Sequence, residues 1–66
     1  MKNNIRVERA ILRITQQQLA EVIGVSRQTI NAIEANRYVP STVLALKIAK
    51  ACSKKVEDIF LLEDTD

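Results

Sequence analysis

Arg27, Gln28, Thr29 and Asn31 fall between Ser26 and Ala32 with no carboxylate among them. On a helix they offer donors and acceptors to whatever lies against them, while Ile30 and Ile33 point inward. Such side chains suit the base edges and phosphates of nucleic acid better than bond-breaking chemistry. The usual catalytic sets are missing. There is no histidine, and one glycine cannot build a glycine-rich phosphate loop. The single Cys52 has no internal disulfide partner, and without histidine the ligand set of an ordinary zinc site is absent. No enzymatic function, cofactor or metal is expected.

Those polar residues need a rigid frame, and the flanking sequence supplies one. Thr15 is placed to cap a helix over Gln16 to Ile23, with Gln18 at the capping-box position and Leu19, Ala20 and Ile23 on the buried face. That helix stops at Gly24, the only glycine, where a left-handed residue without a side chain costs little. Val25 fills the corner, and Ser26 caps a helix from Arg27 to about Ala35. Ala20 is small where the two helices cross. The result is a helix-turn-helix whose second helix has one face free to enter a groove. An ordinary helical hairpin would share the glycine and the apolar positions; the exposed polar composition separates the two.

Further helices complete the frame. Ile5, Arg9 and Leu12 share a face of a first helix, with Ala10 beside them, and Arg13, Ile14 and Thr15 end it. Asn36 to Pro40 reads as a loop, since Pro40 disfavours helix at Val39. Ser41 starts a fourth helix over Thr42 to Ala51, with Leu44, Ala45, Ile48 and Ala49 inward and Lys47 and Lys50 outward. A short fifth helix follows over Val56 to Phe60. The composition agrees with an all-α domain of five helices: 47% of residues are hydrophobic, but Trp is absent and Tyr, Phe, Gly and Pro occur once each.

The net charge of +2 conceals a segregation. Residues 1 to 55 hold all ten basic residues and three acidic ones, for +7, whereas residues 56 to 66 carry −5. A basic body suits a polyanion, with an acidic tail expected to lie away from that surface; the charge count alone fits equally well a role in keeping a small protein soluble. With 66 residues the chain is expected to be one domain near the lower limit for a single core, which favours self-association. No apolar stretch matches a signal peptide or a membrane span, and the lone cysteine fits a reducing, cytoplasmic setting.

The residues now in view resemble the Cro/C1-type helix-turn-helix family, also called the xenobiotic-response-element family, of bacterial and phage regulators. The resemblance runs through Thr15 to Ala20 (Thr-Gln-x-x-Leu-Ala), Gly24 to Ile30 (Gly-Val-Ser-Arg-Gln-Thr-Ile), Ile33-Glu34, Arg37 to Ser41, Leu44 to Ala49 and Glu57 to Phe60. It covers nearly the whole chain and is nearest to short members that work as homodimeric repressors. It implies a compact, lambda repressor-like fold, with a small two-stranded sheet between Lys2 to Asn4 and Leu61 to Glu63. The chain departs from the family at Arg13, where Gly commonly ends the first helix. The frequent Glu-Asn-Gly after the recognition helix is here Glu34-Ala35-Asn36, where Asn36 can still adopt a left-handed conformation, and Lys55 replaces the usual Ser/Thr cap of helix five.

What the resemblance implies for function is carried residue by residue. Arg27 and Gln28 would face base edges, Arg matching guanine O6 and N7 and Gln matching adenine N6 and N7. Asn31 would reach a base or a phosphate. Gln16, Ser26, Thr29, Asn36, Arg37 and Tyr38 would hold the DNA backbone, with Thr29 also within reach of a thymine methyl. Arg9 and Glu34 would form a largely buried ion pair tying helix one to the end of helix three. Phe60, Leu61 and Leu62, with Ile11 and Val43, exceed what a small core needs. Either they complete that core or some of them form a dimer seam; a seam that includes the C-terminal segment is favoured, because two paired recognition helices would read a near-palindromic site. The alternative is an antitoxin-like module whose Phe60 to Leu62 segment binds a partner protein and which represses its own operon.

Overall fold

In the computed structural model, which describes all 66 residues, five helices pack around one core and a two-stranded sheet closes the ends. The order is β1 (Lys2–Asn3), α1 (Ile5–Leu12), α2 (Gln16–Ile23), α3 (Arg27–Glu34), α4 (Thr42–Cys52), α5 (Val56–Ile59) and β2 (Phe60–Leu61). No helix is long and apolar enough to cross a membrane.

Side-chain caps set most of the helix starts. The Thr15 hydroxyl accepts from the Gln18 N–H at 3.0 Å, and the Gln18 side chain accepts from the Thr15 N–H at 2.8 Å, closing a capping box. Ser26 accepts from the Thr29 N–H and Ser41 from the Leu44 N–H, both at 3.2 Å. Lys55 has no oxygen to offer, and α5 begins without a side-chain cap and lasts four residues.

Left-handed residues set several of the ends. Gly24 adopts φ 86° and its N–H returns to the Ala20 carbonyl at 2.8 Å. A Cβ there would meet nothing within 4 Å, so the requirement comes from the backbone alone. Gly24→Ala is therefore expected to destabilise by about 1–2 kcal/mol in urea unfolding; no loss would show that the turn readily adopts another geometry. Arg13, Asn36 and Ser53 take the same region at φ 59°, 61° and 55°. Arg13, standing where a glycine is common, keeps the turn by donating its N–H to the Ala10 carbonyl, while Ile14 returns to Arg9.

Ile5, Leu19, Ile30, Ile33, Ile48 and Ile59 are the largest fully buried side chains, contributed by all five helices. Ala20 is wholly enclosed, consistent with the close approach of α2 and α3. The apolar faces expected for α2, α3 and α4 are the ones buried, except that Ala45 is only partly buried against the core. Helix one differs. Leu12 is 41% exposed and the inward positions are Ile5 and Glu8, the latter 8% exposed with its carboxylate 3.8 Å from the Lys54 ammonium. The small α1 face is thus completed by an acid with a cationic partner, which a hydrophobic stripe does not reveal.

Helix four runs one residue beyond Ala51, burying Cys52 against the core. Burial pushes that thiol up, as does the Glu8 charge, against a smaller opposing effect of Lys54. At the other end Phe60 leaves α5 for a strand. The sheet forms between Lys2–Asn3 and Phe60–Leu61, paired Lys2 to Leu61 and Asn3 to Phe60, rather than between Lys2 to Asn4 and Leu61 to Glu63. Asn4 fixes this register: its N–H donates to the Ile59 carbonyl at 2.8 Å, the next partner in the same ladder, while its own carbonyl accepts from the Glu8 N–H at 3.0 Å as α1 begins, so the strand goes no further. In the tail, Glu63 and Asp66 each approach the Met1 ammonium at 3.0 Å.

Candidate nucleic-acid interface

Helix α3 is held at its start by Ser26, underneath by Ile30 and Ile33, and at its end by Glu34. This leaves Arg27, Gln28 and Asn31 exposed. Arg27 and Gln28 have no protein partner and are free to meet a ligand. The Thr29 hydroxyl lies 3.0 Å from that of Ser26, and the two form one small polar step at the helix start.

Glu34 is the anchor of the surface. Its side chain is 2% exposed and lies against Arg9, whose Nε donates to Oε2 at 2.6 Å and whose Nη2 donates to Oε1 at 3.0 Å. Arg9 Nη1 also donates to the Ile14 carbonyl at 3.2 Å, fixing the corner between α1 and α2. Burial alone pushes the Glu34 carboxyl up. Hydrogen bonds from Arg9 and Gln16 and the charges of Arg9 and Arg6 outweigh it and hold the group below the usual carboxylate range. The Arg9 guanidinium is raised in turn, chiefly by its hydrogen bonding to Glu34.

A polar chain leads from this pair to the surface. Gln16 Nε2 donates to Glu34 Oε1 at 3.1 Å, and Asn31 Nδ2 donates to Gln16 Oε1 at 3.4 Å. Arg37 Nη2 donates to Asn31 Oδ1 at 2.8 Å. Residues from α1, α2, α3 and the following loop therefore converge on one polar surface beside the exposed face of α3.

Arg6 and Asn3, which no sequence motif singles out, also belong to this region. Arg6, 81% exposed, brings Nε within 3.9 Å of Glu34 Oε1. Its signal was available: it lies three residues before Arg9 on the same helix. Asn3 Nδ2 donates to the Ile33 carbonyl at 2.8 Å and to Asn36 Oδ1 at 3.1 Å, tying β1 to the end of α3. No local pattern around Asn3 announces that contact.

The loop residues Asn36, Arg37 and Tyr38 are all exposed. Asn36 holds its turn by donating to Ile33, and the Arg37 N–H donates to the Ala32 carbonyl at 2.9 Å. The expected dimer residues divide. Phe60 is 8% exposed and part of the chain's own core, because entry into β2 turns it inward, whereas Leu61 and Leu62 are 41% and 83% exposed. Ile11 and Val43 are each 63% exposed.

Residues 5–59 match the helix-turn-helix family, a span containing all five helices. The chain belongs to that family. Its helix-turn-helix is α2, the Gly24 turn and α3, and the family is a non-enzymatic, DNA-binding class of transcriptional regulators. The chain is 53% identical over 66 residues, covering both proteins fully, to an uncharacterized HTH-type transcriptional regulator of Methanocaldococcus jannaschii. It is 53% identical over 64 residues, 97% of each chain, to the uncharacterized HTH-type regulator YgzD of Bacillus subtilis. An uncharacterized HTH-type regulator of Archaeoglobus fulgidus is 41% identical over all of this chain and 93% of its own. Relatives of this helix-turn-helix protein therefore occur in archaea as well as bacteria, a wider range than the expected bacterial and phage setting.

Proposed function

We propose that this helix-turn-helix regulator is a cytoplasmic homodimeric repressor that lays α3 in the major groove of a near-palindromic operator. The observation that carries the reading is the exposed, carboxylate-free face from Arg27 to Asn31 on a helix capped at one end and pinned by a buried ion pair at the other. Arg27 and Gln28 read base edges. Gln16, Ser26, Thr29, Asn36, Arg37 and Tyr38 meet the backbone and set the register.

Pairing of two chains is supported by apolar surface that one chain leaves open. Leu61 and Leu62 are exposed, and a groove of about 230 Å³ beside Phe60 is lined by Met1, Val39, Pro40, Leu46 and Val56 among others. A second copy seated on one of these two patches brings a second α3 to the next half-site, about 34–36 Å away. The antitoxin-like reading draws less support, since Phe60 is occupied in the core and only Leu61 and Leu62 remain to meet a different protein.

Selection of bound fragments from random duplex DNA, followed by sizing of the complex, tests the reading. It is expected to return an inverted repeat bound by two chains; a single asymmetric site bound by one chain would remove the dimer. Arg37→Ala should weaken binding to all sequences alike. It should also make the dependence of log affinity on log salt shallower by about one. An unchanged slope would take Arg37 out of the phosphate set.

A further inference from the structure

We infer that Asn31 is a positioning residue that joins two backbone-holding side chains across the recognition helix, and that it does not itself read a base. This rests on the DNA-binding reading above and assigns one residue of that surface a different task.

The amide of Asn31 is engaged at both ends. Its Oδ1 accepts from Arg37 Nη2 at 2.8 Å and its Nδ2 donates to Gln16 Oε1 at 3.4 Å. Reading adenine requires that same acceptor and donor pair, presented together to N6 and N7. Turning Asn31 toward a base would break both links. Gln28, by comparison, is exposed with its amide unused.

The links have a clear beneficiary. Arg37 stands on the loop after α3, where a long, rotamer-rich side chain must be ordered before it can hold a phosphate. Asn31 meets part of that ordering requirement in the free protein. Gln16 is gripped from the other side by Glu34, which is itself fixed by Arg9. The chain Arg9, Glu34, Gln16, Asn31, Arg37 therefore runs from a buried ion pair to an exposed cation, and Asn31 is the only member on the solvent face of α3. Its contribution to DNA binding is preorganisation, which adds affinity equally on every sequence.

The test measures binding of the wild type, Asn31→Ala, Arg37→Ala and the double variant at one salt concentration. The ligands are a duplex selected from a random pool and its single-base-pair replacements; thermal unfolding shows that each variant is folded. Asn31→Ala is expected to lower affinity about tenfold, by the same factor on every duplex. In the Arg37→Ala background the loss should shrink to about threefold or less, because one of the two links is already gone. Asn31→Ser, too short to reach either partner, gives the same pattern should the alanine variant be unstable. A loss concentrated at one base pair, or a loss of equal size in both backgrounds, overturns the assignment. Failure of the underlying reading looks different: the wild-type protein would then select no sequence at all.

Discussion

Arg9→Ala is expected to cost about 3–5 kcal/mol at neutral pH, the loss that follows when one partner is removed from a buried ion pair. Glu34 would be left 2% exposed with Gln16 as its main remaining donor and Arg6 some 3.9 Å away. The reverse change, Glu34→Gln, should cost less. Arg9 is 17% exposed and long enough to reach water, and a glutamine keeps an acceptor for it.

The pH dependence follows from the direction of the Glu34 shift. In the wild type the folded-state carboxyl is held below its ordinary value of 4.5. Its contribution is complete above that value and is lost as pH falls through the lower, folded-state value. In Arg9→Ala, burial without the guanidinium pushes the group the other way, so acidification relieves the variant. The stability difference between the two proteins should therefore narrow as pH is lowered from 7 toward 3. Urea unfolding at several pH values measures it, and a constant difference would mean that Arg9 acts through its packing and not through its charge on Glu34.

The second large effect belongs to base reading. Gln28→Ala is expected to lose about 1–3 kcal/mol of discrimination at one base pair in each half-site, and Arg27→Ala a similar amount at a guanine. Both residues are exposed and neither bonds within the protein, so their removal should leave unfolding unchanged. Binding of each variant to every single-base-pair replacement separates the cases. A residue that reads a base loses its preference at one position, whereas a residue that only holds phosphate weakens all duplexes alike.

The contrast between Gln28 and Asn31 also marks where sequence reasoning stops. Helices α2, α3 and α4 were legible because their signals are local: Thr15, Ser26 and Ser41 at the caps, Gly24 at the turn, and apolar residues three and four apart. What the pattern could not supply were contacts between residues distant in the chain. Glu8 is only one of three acids in the basic body until Lys54, 46 residues later, is seen beside it. The strand register depended on the Asn4 N–H finding Ile59, and Phe60 was drawn into the core by that same closure. Asn31 and Gln28 are similar polar residues on one helix, and only the position of Arg37 and Gln16 tells their amides apart. The resemblance to known regulators identified the ion-pair residues Arg9 and Glu34, but not the polar chain that leads outward from them.

Placement of the exposed face of α3 in the major groove is open to direct test with base analogues. In the selected duplex, each half-site purine is replaced in turn by its 7-deaza analogue, which removes N7 from the major groove. In parallel, each guanine is replaced by inosine, which removes its amino group from the minor groove. Substitution by 7-deaza analogues at the purines facing Arg27 and Gln28 is expected to weaken wild-type binding and to have little further effect on the matching alanine variant, while inosine is tolerated. Binding indifferent to every 7-deaza substitution but lost on inosine would contradict it.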